Sequence, residues 1–212
     1  MPAPISGTNT SQTPLEPSER MGVAVPKDDF AWVRINGHDI GLMETIEQIG
    51  THYEQVHGVS DKKVSVIEGD HPALTGDSMP VGRELWASAR NWRLSGKVDS
   101  AGTYRRLSAL VDWVNADDTL ATLDTLAKLL DVHAYLKFCA AIQLMGSYHI
   151  DDQHNQWFVR SGTTGLFYPV LWDVFPLFDP TGGRFHMAND ALAYRILANG
   201  DARLERDREL YR

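Results

Sequence analysis

The spacing of apolar residues changes several times along the chain, and each change marks an element. Phe30 to Asn36 and Asp39 to Glu44 read as strands around Asn36-Gly37-His38, a hairpin turn because Asn and Gly both tolerate positive φ. Thr45, with Gln48 three residues on, reads as a capping box opening a helix through Ile46, Ile49, Tyr53 and Val56, which Gly58 stops. Lys63 to Ile67 is a short strand, and residues 70–82, with Pro72, Gly76, Pro80 and Gly82, form a loop. The chain then reads as helical for about sixty residues in three apolar stripes. These are Tyr104, Leu107, Leu110, Val111 and Val114; then Leu120, Leu123, Leu129 and Leu130; then Tyr135, Leu136, Cys139, Ile142 and Met145, ending at Gly146. Asn155 to Arg160 and Leu166 to Leu171 are strands joined by Ser161-Gly162-Thr163-Thr164-Gly165. Asn189 caps a final helix through Leu192, Ile196 and Leu197 that Gly200 ends. Hairpin, helix, strand, helices, hairpin, helix is an α+β order.

Composition narrows the function classes. With 212 residues, 43% hydrophobic and 23% charged, the chain can bury a real core as one domain. Residues 1–29 are rich in Pro, Ser and Thr with little apolar periodicity, and read as a flexible leader. A net charge of −8 argues against nucleic acid or an anionic membrane surface as partner, since both favour a basic patch. No apolar run suits an integral membrane segment, and the first residues lack the basic and apolar regions of a signal peptide. An export signal upstream would escape this reading, so the compartment stays open. Cys139, the lone cysteine, falls in a helical stripe and reads as a small buried hydrophobe.

Candidate chemistry concentrates after the third helix. His149-Ile150-Asp151-Asp152-Gln153-His154-Asn155 is followed, one hairpin later, by Leu171-Trp172-Asp173. Acid, loop, Asn, strand, turn, strand, Asp is the layout by which a kinase-like site brings a carboxylate and two metal-binding side chains to one phosphate. Carboxylate and amide oxygens suit Mg²⁺, which takes few protein ligands and keeps several waters. His149, Asp151 and His154 offer a competing Zn²⁺ or Fe²⁺ set, the basis of a metallohydrolase reading, although no third His at helical spacing completes it. His149 more simply orients the loop through a backbone hydrogen bond. Trp172, and the pair Trp86 and Trp92, read as packing.

Four segments, spanning residues 30–212, resemble the CotH kinase family, the spore-coat-protein-H-like proteins of atypical protein-kinase fold. Val33 to Glu44 resembles the family's strand, Asn-Gly turn and strand ending in Glu. Leu130 to Gly146 resembles its Asp-then-helix run, Asp151 to Asn155 with Trp172-Asp173 its acidic-loop and Trp-Asp motifs, and Leu192 to Leu197 its C-terminal helix. The resemblance implies a partial small sheet lobe at 30–69, a mainly helical lobe at 70–212, and a domain lacking its N-terminal strands. It implies Mg-ATP-dependent phosphoryl transfer to Ser or Thr of a protein substrate, with ATP and Mg²⁺ (or Mn²⁺) as cofactors. The alternative is a catalytically degenerate, pseudokinase-like module for binding or for surface or coat assembly. Asp151 would be the catalytic aspartate, with Asp152 as the alternative; Asn155 and Asp173 would hold the metal, and Glu44 would mark the hinge side of the nucleotide cleft. The chain departs from the pattern at Phe175, where members often carry a second acid, and at Glu68-Gly69 in place of Lys-Gly. The family's phosphate-pairing Lys has no counterpart in residues 1–29.

Overall fold

The computed structural model describes residues 15–49, 65–69, 84–95, 99–117, 122–147, 149–151, 155–174 and 190–212. In chain order these form α1 (Glu16–Arg20), β1 (Asp28–Ile35), β2 (His38–Ile46), β3 (Ser65–Gly69), α2 (Glu84–Ala87), a 3-10 turn (Ala89–Asn91) and β4 (Arg93–Ser95). There follow α3 (Ser100–Asn115), α4 (Leu123–Leu126), α5 (Val132–Met145), β5 (Gln156–Arg160), β6 (Phe167–Val170), α6 (Ala191–Leu197) and α7 (Gly200–Glu209). The architecture is α+β, as the element order implies.

Strands β1 and β2 form a two-stranded antiparallel ribbon closed at Asn36 and Gly37, both at positive φ. Pairing of Trp32 with Leu42 and Asp28 with Ile46 puts Phe30, Trp32, Leu42 and Ile46 on one face of the ribbon. That face is open to solvent: Trp32 is 67% and Leu42 65% exposed. A second antiparallel sheet has the order β4-β3-β5-β6. Its outer side is closed by two isolated bridges, Ala24 to Val170 and Leu130 to Phe167, so β6 is paired along both sides.

The core lies between this sheet and helices α3, α5 and α6. Leu107, Leu110, Val111 and Val114 line the buried face of α3, and Tyr135, Leu136, Phe138 and Cys139 that of α5, as the spacing of 3.6 requires. Phe158, in the middle of β5, packs against Trp86, Trp92, Tyr135 and Phe167 with centroids 5.8–6.4 Å apart. Trp86 and Trp92 meet edge-on at 4.9 Å, the packing role expected of them. Aspartates cap three helices: Asp99 accepts from Gly102 N, Asp131 from Ala134 N and Asp190 from Leu192 N and Ala193 N.

Several expectations are corrected. The flexible leader expected over 1–29 does not include residues 15–25, because Leu15, Ser18, Val23 and Val25 are buried and α1 packs on α5; residues 1–14 lie outside the described residues. The capping box at Thr45 does not form, since Thr45 pairs with Asp29 across the ribbon and its hydroxyl donates to the Asp29 carbonyl. The rest of that expected helix and the 70–82 loop lie outside the described residues. The long helical run is interrupted by β4, whose three residues pair with β3, and by Leu130, held as a bridge to Phe167. Strand β3, from the expected sheet lobe at 30–69, shares its sheet with β4, β5 and β6 from the expected helical lobe at 70–212. Asp190 caps α6, while Gly200 opens α7 behind an Asn199 cap, where it was expected to stop a helix.

Gly69 tests the packing. A Cβ there would lie 2.7 Å from Trp92 Cζ3 and 3.0 Å from Gln156 Cβ, and neither neighbour is a flexible tip. Gly69→Ala should therefore lower unfolding stability by about 1–3 kcal/mol in urea titrations. A midpoint unchanged from wild type would refute this packing.

Candidate functional site

Three buried anchors place the polar residues after α5. Gly146 ends that helix in the left-handed region, donating its N–H to Gln143 O. Ile150 is fully buried, so the flanking His149 and Asp151 are held at the protein's surface as partly exposed residues. On the other side Leu171 and Val174 are buried, and between them Asp173 turns outward at φ 48°. Trp172, half-buried, packs against Trp157 at 5.8 Å. Leu171 N donates to Ala24 O at 2.8 Å, fixing the chain at the exit of β6.

Asn155 opens β5 at φ 60°, a conformation in which Asn and Asp are the best tolerated residues with a side chain. This turn brings Asn155 onto Asp173 and His149. Its Nδ2 donates to the His149 carbonyl at 3.0 Å and to Asp173 Oδ2 at 3.3 Å. His149 Nδ1 lies 3.2 Å from Asp173 Oδ2, 3.3 Å from the Asp173 carbonyl and 3.3 Å from Asn155 Nδ2. One ring nitrogen cannot donate to Asp173 and accept from Asn155 at once. A proton on Nδ1 serves two acceptors of Asp173 and leaves Asn155 its own two, so that tautomer satisfies the cluster. The expected loop-orienting bond of His149 thus runs to the Asp173 backbone.

The structure brings Asn155 and Asp173 together and places Asp151 on the segment tied to them. Gln156, the next residue of β5, is fully buried on the opposite side of the strand, and its Nε2 donates to the Asp151 carbonyl at 3.0 Å. Successive amides therefore grip the carbonyls of residues 149 and 151. Gln156 carries no pattern signal, because a glutamine opening a strand is ordinary until its pairing with Gly69 is known. Asp152, His154 and Phe175 lie outside the described residues. Glu44 lies exposed on the ribbon opposite Phe30, and among the described residues no hydrogen bond or ion pair joins it to Asn155 or Asp173. Glu68 pairs with Arg93 across β3 and β4.

Oxygen is the shared currency of the Asn155 and Asp173 side chains. An amide oxygen and a carboxylate side by side fit a hard divalent cation better than a transition metal. Cys139 offers no nucleophile: burial, with Asp190 adding to it and Arg206 opposing it, pushes its thiol far above the ordinary range.

The family model described as CotH kinase protein matches residues 18–191, more than half of the chain. Inner spore coat protein H of Bacillus subtilis (strain 168) is 28% identical over 169 residues, which cover 77% of this chain and 43% of that protein. The chain thus spans less than half the length of this relative. No helix of the described residues is long and apolar enough to cross a membrane.

Asn155→Ala removes the Nδ2 bonds and forces a Cβ residue without a local polar partner to hold positive φ, and should cost about 1–3 kcal/mol. Asn155→Gly loses the same bonds without the strain, and should retain about 1 kcal/mol of that loss. Urea unfolding of the two variants decides it. Equal midpoints would mean that the φ of residue 155 contributes nothing.

Proposed function

The chain belongs to the CotH kinase protein family, and on that premise we propose Mg-ATP-dependent phosphoryl transfer to a Ser or Thr hydroxyl of a protein substrate, on a kinase-like fold. The observation that carries the proposal is the 3.3 Å approach of Asn155 to Asp173, with Asp151 tied to the same cluster through the residue that follows Asn155. Asp173 and Asn155 would hold the metal. Mg²⁺ or Mn²⁺ held there would neutralise charge on the ATP phosphates, the main electrostatic contribution in this chemistry. Asp151 orients the acceptor hydroxyl and takes its proton, with Asp152 as the alternative. His149 holds the Asp173 backbone and carboxylate in place. Glu44 is assigned to the hinge side of the nucleotide cleft on the family resemblance alone.

A second reading has its own support. The exposed apolar face of the ribbon, and the name of the Bacillus subtilis relative, inner spore coat protein H, favour a binding module in coat assembly that has lost catalysis. The two readings differ in what ATP does. If the chain handles nucleotide, ATP raises the melting temperature only with Mg²⁺ or Mn²⁺ present, because Asn155 and Asp173 would hold ATP through the cation's charge. Identical melts in all conditions would favour the assembly module.

Substitutions divide the roles of the acids. Asp173→Ala should abolish metal-dependent stabilisation by ATP. Asp151→Ala should keep that stabilisation and reduce phosphate incorporation into protein by at least about a hundredfold, since its action is confined to the transition state. Asp152→Ala should do less than either. A dead Asp152→Ala beside an active Asp151→Ala would move the role by one residue, and three variants indistinguishable from wild type would remove the site.

The metallohydrolase reading predicts near-stoichiometric bound Zn or Fe, and the Mg²⁺ reading predicts none. Purified protein should carry no near-stoichiometric Zn or Fe by elemental analysis; a stoichiometric metal lost in His154→Ala would overturn the Mg²⁺ assignment.

A further inference from the structure

Gln156 is an expensive residue for its position. Its side chain is fully buried, its Oε1 has no hydrogen-bond partner among the described residues, and its Cβ sits in a cradle that only Gly69 leaves open. A buried polar atom without a partner costs stability, and an apolar side chain of the same length would avoid that cost. What Gln156 gains is one bond, from Nε2 to the Asp151 carbonyl at 3.0 Å.

That bond has a particular mechanical effect. Asn155 grips the carbonyl of residue 149 and Gln156 that of residue 151, while the intervening Ile150 is sunk in the core. The carbonyls of residues 149 and 151 are thereby tied to the start of β5, and β5 itself is paired between β3 and β6. The backbone carrying Asp151 is thus referenced to the same strand that presents Asn155. Without Gln156, residues 149 and 150 keep these restraints and Asp151 loses the bond that ties its carbonyl to β5. We propose that Gln156 is a positioning residue, which sets the distance from the Asp151 carboxylate to the Asn155 and Asp173 pair and acts on phosphoryl transfer only through Asp151. The proposal rests on the phosphoryl-transfer reading.

Gln156→Met keeps the length of the side chain and removes the donor together with the unpartnered oxygen. The assays are thermal melting, melting with Mg-ATP, and steady-state phosphate incorporation, for Gln156→Met, Asp151→Ala and the double variant. The expected result is a melting temperature equal to or above that of wild type and an ATP KM within about twofold, with kcat reduced about 10- to 100-fold by misplacement of one group. In the Asp151→Ala background the same substitution should cost nothing further. A role in folding alone would lower the melting temperature, weaken ATP stabilisation and persist without Asp151, and would overturn the proposal, as would an unchanged kcat. Should Gln156→Met fail to fold, Gln156→Asn gives the same reading: its amide stays in the cradle, one methylene short of the Asp151 carbonyl. If wild type itself neither binds Mg-ATP nor transfers phosphate, the functional reading fails and takes this proposal with it. An active wild type with an equally active Gln156→Met sinks the positioning role alone.

Discussion

The burial of Phe158 among Trp86, Trp92, Tyr135 and Phe167 is the contact on which the rest depends. It joins residues from α2, the residue that caps the 3-10 turn, α5 and β6 to the middle of one strand, and so fixes β5 in register between β3 and β6. Replacing such a ring by a methyl group typically costs about 3–5 kcal/mol, a large share of what a domain has in hand. Both amides that organise the site stand at the start of this strand. A rigid core strand therefore serves as the ruler against which a polar, partly exposed loop is set.

Electrostatically the cluster is economical. Asp173 and His149 are each more than a third exposed, so the carboxylate keeps much of its hydration. The same exposure leaves a carboxylate oxygen able to exchange water for a cation. Desolvation is instead concentrated in the residues that position the cluster, Ile150, Gln156 and Leu171, which are fully buried and carry no formal charge.

Local pattern was enough for some of this and not for the rest. The ribbon, α5 and the β5–β6 hairpin were legible because Asn36-Gly37, the period of 3.6 through Tyr135 to Met145 and the closing Gly146 are signals contained in the segment itself. The meeting of Asn155 with Asp173 was legible as spacing, since a hairpin of that length must return its end to its beginning. β4 was not legible: three residues inside an apparently helical stretch become a strand only because β3, from another part of the chain, lies alongside. Thr45 shows the same override, with the capping-box signal outweighed by pairing across the ribbon. α7 was hidden by polarity, being almost wholly charged apart from Ala202 and Leu204. Gln156 was invisible because its partner is a backbone carbonyl, which no residue type announces.

The early segment has a consequence for where this fold can be divided. Composition alone would separate residues 1–29 as a tail, yet Ala24 bridges to Val170 and its carbonyl takes the Leu171 N–H. A chain trimmed to begin at Phe30 would turn the end of β6 into an open edge, with unpaired peptide groups two residues from Asp173. Such an edge invites pairing with another chain, and the residue it would leave unsupported is the one whose carboxylate meets His149 and Asn155. Hydrogen bonds and burial, and not residue type, therefore tie the segment from Leu15 to Val25 into the fold.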